Sequence, residues 1–401
     1  MNNMKFKLFG SNTISDKSRY ELIIYRDNLI NRLFSSSEFQ KFDFSKNVKM
    51  KAAVLEKYNQ FTVVEKPQPK MSENEVLVKV KFASICGSDQ HLYKGDFHPR
   101  TKLPFTPGHE FAGVIEKIGK EVSGYNIGEK VAIDPIIWCG ECDACKNEHY
   151  PACDKLRLIG IDQDGGFAEY VSVPPSMLYK VPENVSHEHA ALVEVYGIGF
   201  HACNRANVKS GDSIAIYGGG KVGQCLMQAA RTKTDGKMFV IDIVQGRLDI
   251  IRNSYPEVRT INALEEDPVE VIHEETDGHG VDVAFEVVGH AEQIPNRANP
   301  LRSCVQSIRG GGVVCVLGLG DEEIPILFKE LIWKEAQIIA SRVSHGEFRE
   351  AIAHLEKGDL KPDALITSVL PVDKIQEAFD MLEKSPDKYL KILLDLSGDA
   401  G

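Results

Sequence analysis

From Lys51 onward, apolar positions fall into short alternating runs closed by glycine, proline or asparagine: Lys51–Lys57, Phe61–Val64, Val76–Phe82, Ala112–Ile118, Glu129–Ile133 and Ala168–Val173. A period of two, rich in valine and isoleucine, marks strands, so this part predicts a β-rich, barrel-like domain. Near residue 205 the rhythm changes. The apolar run Ser213–Tyr217 leads into a glycine loop and a helix over Val222–Thr232, and a second strand follows at Met238–Ile241. Strands at Val281–Val287 and Val313–Leu317 each end near glycine. Strand–helix alternation of this kind predicts a doubly wound parallel sheet. After Ile338–Ser341, amphipathic helices over Glu347–Lys357 and Val372–Glu383 precede a last strand, Leu390–Leu394.

Residues 1–49 break from this pattern, with nine Lys or Arg against five Asp or Glu, a helix-like stretch Tyr20–Phe34, and serines at Ser35, Ser36 and Ser37. They read as a poorly ordered N-terminal extension; a targeting or oligomerising arm is the other reading, and the acidic residues argue against a transit peptide. At 401 residues the chain is long enough for two domains. A composition of 43% hydrophobic and 26% charged residues is that of a globular protein, and a net charge of −11 leaves no basic surplus for nucleic acid. No apolar run of about 18 residues predicts a membrane span, and the start lacks a secretory h-region. A cytoplasmic location is expected.

Gly218-Gly219-Gly220-Lys221-Val222-Gly223 fits G-x-G-x-x-G between a strand and a helix. That context gives the glycines physical roles. Gly218 makes a tight turn, Gly220 admits a pyrophosphate, and Gly223 lets the helix pack on the strand. Lys221 and Val222 open the helix, whose N-terminus favours an anion. Asp242, closing the next strand, is the acid that accepts ribose hydroxyls of NAD and repels the extra phosphate of NADP. Arg247 falls where it could cover the adenine.

Nine cysteines without a signal peptide predict reduced thiols. Four of them, Cys139, Cys142, Cys145 and Cys153, lie within one irregular loop and can close a tetrahedral shell, the mark of a structural zinc. A catalytic zinc needs three protein ligands and one open position. Cys86, in Cys86-Gly87-Ser88-Asp89-Gln90-His91, with His109 of Gly108-His109-Glu110 and a carboxylate, could supply the three. Asp89 suits an acceptor behind a ligating imidazole. Singly, His109, Glu194 and Ser88 carry little weight; in combination they carry more.

Together these motifs resemble the zinc-containing medium-chain dehydrogenase/reductase family, nearest its polyol, sugar-acid and threonine dehydrogenase branches, from Met50 to about Leu396. The resemblance implies a GroES-like catalytic domain at 50–205 and 344–401, interrupted by a Rossmann NAD-binding domain at 206–343. It implies two zinc ions per subunit, one catalytic and one structural, with NAD as cofactor. The catalytic carboxylate varies within the family; Glu194 is the expected ligand, with Glu110 alternating or behind it. Ser88 and His91 match a proton relay running from alcohol to serine to nicotinamide ribose to histidine. Lys391 resembles a basic position that approaches the pyrophosphate. Val195 stands where these branches commonly carry proline. Tyr196, Leu92 and His290 are expected pocket walls. The implied activity is reversible oxidation of a secondary alcohol (polyol, sugar acid, diol or 3-hydroxy amino acid) to a ketone, by a homodimer or homotetramer acting on a small molecule. Two other readings stand beside it: a zinc-free NADPH enone or quinone reductase of the same fold, and a non-catalytic zinc-thiol redox sensor or structural protein.

Overall fold

The computed structural model describes residues 48–290, 294–295 and 297–398. The extension reading of residues 1–49 lies almost wholly outside this range.

Two sheets carry the architecture. The first, mainly antiparallel, runs in the order Ile366–Pro371, Lys391–Asp395, Val76–Ser84, Glu110–Ile118, Lys130–Ile133 and Leu178–Lys180, and Tyr170–Val173 also pairs with Val76–Ser84. Its central strand is buried along most of its length (Val76, Leu77, Val78, Val80 and Ala83), which is why the strand reads as apolar rather than as a clean alternation. The last strand, Lys391–Asp395, returns to lie antiparallel to Val76–Ser84, Leu393 opposite Ser84. The C-terminal segment thus completes the sheet begun near residue 76. Lys49–Lys57 and Gln60–Pro67 form a separate two-stranded ribbon.

The second sheet is parallel throughout, in the order Arg259–Asn262, Met238–Asp242, Ile214–Tyr217, Val281–Glu286, Ile308–Val316 and Gln337–Ala340. The chain starts at Ile214–Tyr217, works outward on one side, then crosses to Val281–Glu286 on the other. That reversal places a crevice at the carboxyl ends of the central strands. Helix Lys221–Lys233 packs its apolar face (Cys225, Leu226, Ala229 and Ala230) into the largest hydrophobic core. Among the described residues, no helix is long and apolar enough to cross a membrane.

Sequence periodicity passes over helix Val193–Arg205. It is buried nearly all round, so no polar face reveals its period. Gly197 and Gly199 within it let Phe348 and the backbone of Leu226 approach closely. This helix carries Glu194.

Candidate functional site

The ends of two neighbouring strands bring the first cluster together. Ser84, ending Val76–Ser84, lies opposite Glu110, beginning Glu110–Ile118. Two residues beyond Ser84, Cys86 caps helix Gly87–Lys94; one residue before Glu110 stands His109. One ligand atom each of Cys86, His109 and Glu110 lie within 4.8 Å of one another. Asp89 serves both the helix and the cluster: its Oδ2 accepts the Cys86 N–H at 2.9 Å, and its Oδ1 lies 3.4 Å from His109 Nδ1. Those two facing atoms have no hydrogen-bond partner and are buried. Burial disfavours a charged His109, yet Asp89 and Cys86 hold its proton affinity well above the ordinary histidine value. A sulfur, an imidazole and a carboxylate this close together are the donor set of zinc. On this chemistry the residues fit the metal.

Two buried acids flank the cluster. Both Glu110 oxygens accept from Lys391 Nζ, at 2.6 and 2.5 Å, and both side chains are fully buried. Burial opposes ionisation of Glu110, but Lys391 and His109 hold its carboxyl below the usual range. Lys391, the basic position expected near the pyrophosphate, directs its ammonium at Glu110 in this structure. Glu194 stands outside the 4.8 Å group. Its buried Oε2 has no partner, and burial pushes the carboxyl up to about 8. Of the two acids expected at the metal, Glu110 is the one gathered with Cys86 and His109.

Ser88 Oγ lies 3.2 Å from His109 Nε2, beside the ligand cluster. Three residues on, His91 Nδ1 pairs with Asp96 Oδ2 at 2.8 Å, and its side chain is 60% exposed. One helix thus presents a hydroxyl at the cluster and an imidazole at solvent.

Cys139, Cys142, Cys145 and Cys153 converge with their sulfurs within 4.8 Å of one another. Cys139 Sγ accepts the backbone N–H of Cys142 at 3.3 Å, and Cys153 Sγ that of Cys139 at 3.3 Å. Backbone N–H groups of Cys145 and Asp154 pull the Cys142 thiol down to about 6. Four thiols in this arrangement make a closed shell with no open position. Cys142→Ser is expected to leave the protein one zinc short and to lower its thermal midpoint while the parallel sheet still binds nucleotide. Metal analysis and melting on the same sample check this.

At the carboxyl end of Ile214–Tyr217, Gly218 has φ 112°, a conformation open to glycine. A Cβ on Gly223 would overlap the Gly218 carbonyl oxygen, while at Gly220 only Arg247 Nη1 lies within 4 Å, at 3.9 Å. The first contact closes helix on strand, and the second position leaves room for a ligand. Asp242 Oδ2 accepts the Gly219 N–H at 2.7 Å, with Arg247 Nη1 3.4 Å away, and Oδ1 accepts that of Val244 at 2.8 Å. Lys221, at the first helical position, reaches Gln90 Oε1 at 3.2 Å, linking the glycine-loop helix to the helix of Ser88 and His91. Burial, then repulsion from Lys391, lowers its ammonium to about 8. A cavity of about 1110 Å³ is lined by Gly218, Gly220, Asp242 and Arg247, and His290 belongs to this wall.

Two expected wall residues turn elsewhere. Tyr196 is fully buried in the core, its OH donating to Gln228 Oε1 at 2.9 Å, and Leu92 packs in the other core. The Lys391–Glu110 pair escaped sequence reading, because its members stand 281 residues apart.

A parallel sheet with a glycine-loop crevice, joined to a sheet bearing a cysteine–histidine–carboxylate cluster, is the build of a nucleotide-dependent oxidoreductase. The family described as "Alcohol dehydrogenase GroES-like domain" matches residues 72–183, and "Zinc-binding dehydrogenase" matches residues 222–357. The starvation-sensing protein RspB of Escherichia coli K12 is 31% identical over 87% of this chain and all of its own length. A sorbitol dehydrogenase of Bacillus subtilis is 31% identical over 86% of this chain and 97% of its own. Among solved structures, RspB of E. coli CFT073, described as a short chain alcohol dehydrogenase complexed with NADH, superposes with a TM-score of 0.78 at 30% identity, covering 86% of this chain and 99% of that one. The chain belongs to the zinc-type medium-chain alcohol dehydrogenase family.

Proposed function

We propose that this protein oxidises a secondary alcohol to a ketone, reversibly, with NAD as hydride acceptor and a zinc ion at Cys86, His109 and a carboxylate. The observation that carries the reading is the convergence of Cys86, His109, Glu110 and Ser88 Oγ on one place, tied through Gln90 and Lys221 to the glycine loop. The name of the sorbitol dehydrogenase relative supports a polyol-type substrate, with sugar acids, diols and 3-hydroxy amino acids in the same class.

Zinc, when bound, supplies the Lewis acidity that makes an alcohol proton labile near neutral pH. NAD, when bound, supplies the acceptor for hydride. The chain's own residues do the rest. Asp89 faces His109 Nδ1 and so leaves Nε2 for the metal. Glu110 or Glu194 adds negative charge, the first neutralised by Lys391 and the second free of any partner at Oε2. Ser88 Oγ would take the proton of the substrate hydroxyl as it gives its own to the nicotinamide ribose, from which exposed His91 is the outlet to solvent. Gly218, Gly220, Lys221, Val222 and Gly223 hold the pyrophosphate, Asp242 the adenosine ribose, and Arg247 the adenine side. The second zinc belongs to Cys139, Cys142, Cys145 and Cys153. In this reading 50–205 and 344–401 form the catalytic domain around a Rossmann insert at 206–343.

A homo-oligomer is part of the proposal. The outermost parallel strand, Gln337–Ala340, is largely exposed, and Phe328, Ile332 and Trp333 near it are 70–78% exposed. An unpaired edge beside large apolar side chains suits pairing with a second copy.

The decisive test is NADH absorbance across polyols, diols, sugar acids and threonine, with zinc measured on the same sample. Zinc-free protein, or no NADH from any of them, would sink the reading. Cofactor choice has its own check. Asp242→Asn keeps an acceptor for the Gly219 N–H but removes the charge, and a hydrogen bond to a charged group contributes about 1.5–3 kcal/mol. The NAD-over-NADP ratio of kcat/KM should therefore narrow about tenfold or more; an unchanged ratio would assign the preference elsewhere.

A further inference from the structure

Glu286 ends the central strand Val281–Glu286, is 1% exposed, and has no part in the chemistry above. Its Oε1 accepts the N–H of Val288 at 2.8 Å and of Gly289 at 2.9 Å, curling the chain back over the strand's end. Its main-chain carbonyl accepts from Leu317 at 2.8 Å and Gly318 at 3.1 Å. One residue thus ties two loops, 287–290 and 317–320, at the carboxyl ends of adjacent parallel strands. The tie is also steric. A Cβ on Gly318 would overlap Glu286 Oε2 and the Gly289 nitrogen, and one on Gly320 would overlap the Gly289 carbonyl. Among the described residues, Glu286 Oε2 is buried without a hydrogen-bond partner. Burial pushes this carboxyl upward, while the N–H groups of Gly289 and Val288 pull it back.

These loops occupy a defined place in the crevice. A dinucleotide lies across the carboxyl ends of the strands where their order reverses. Here the reversal falls at Ile214–Tyr217, with Met238–Asp242 on one side and Val281–Glu286 on the other. Asp242 marks the adenosine half, so the other half lies over 287–290 and 317–320. Val287 donates to the Tyr217 carbonyl at 2.9 Å, and Val287, Val288 and His290 line the same cavity as Gly218 and Asp242.

We propose that Glu286 is a positioning residue for the nicotinamide half of the dinucleotide, holding loop 287–290 against loop 317–320 as the floor beneath it. The proposal rests on the NAD reading above. It makes a demand that a general structural role would not: the effect must be confined to one half of the cofactor.

The test compares E286Q and E286L with the unaltered protein, measuring NADH binding by fluorescence and AMP binding by calorimetry, with circular dichroism to confirm folding. In E286Q one oxygen still accepts both N–H groups and the amide nitrogen takes the partnerless position, so NADH affinity should stay within about twofold. In E286L both acceptor contacts vanish, and the NADH Kd should rise about tenfold or more while the AMP Kd is unchanged. Should E286L not fold, E286A replaces it: alanine offers neither N–H group a side-chain acceptor, and the same selective loss is expected. Equal loss of NADH and AMP, wild-type NADH binding in E286L or E286A, or E286Q as weak as E286L would overturn the proposal alone. An unaltered protein that binds no NADH would overturn the NAD reading and the proposal with it.

Discussion

Cys86→Ser is expected to lower turnover by about a thousandfold or more while NADH binds as before. The Lewis acid contributes several kcal/mol to the step, and about 4 kcal/mol corresponds to three decades in rate. Replacing the thiolate with a poorly ligating hydroxyl removes the one soft donor among Cys86, His109 and Glu110. The dinucleotide residues, from Gly218 to Gly223 with Asp242, belong to the other sheet and keep their contacts. Steady-state rates and NADH fluorescence on one preparation separate the two effects. Wild-type turnover in this variant would end the metal assignment, and loss of NADH binding would mean that the substitution damages more than the metal site.

The second large effect concerns stability. Lys391→Met strips the cation from Glu110, leaving a fully buried carboxylate whose two oxygens have both lost the ammonium that donates to them. Breaking such a pair from one side costs about 3–5 kcal/mol, because the remaining charge stays in low dielectric. Removing both charges costs far less, so Lys391→Met combined with Glu110→Gln should recover much of the stability lost by the single variant. Denaturant midpoints on metal-chelated protein make the comparison free of zinc binding. A single variant as stable as the parent would show that the pair contributes little.

What could be read from the chain follows from how far each feature reaches along it. The glycine loop, its helix and Asp242 are contained within 25 residues, and Gly218 and Gly223 answer local steric demands, so the pattern carries the geometry. The four-cysteine loop is shorter still, and thiols that close together have few other uses. Cys86 and His109 were found through their residue types, but their meeting depends on register, Ser84 against Glu110, which no local pattern states. The carboxylate was the hardest part. Glu110 and Glu194 both carry acids of the right kind, and what separates them is Lys391, arriving from the last strand of the sheet. Tyr196, expected at a pocket wall, shares helix Val193–Arg205 with Glu194. On a helix, two residues apart is about 200° around the axis, so the acid and the phenol face opposite ways. The outward alternation of strands was legible; the all-buried helix between them was not, since uniform burial erases the periodic signal.

Asp89 has a consequence for motion. One of its oxygens secures the opening turn of an eight-residue helix, and the other orients the imidazole of His109. A fluctuation that frays that turn withdraws the same carboxylate from the ring, so the two events share a single free energy of opening. The reactive geometry therefore lasts only as long as the opening turn of that short helix stays formed.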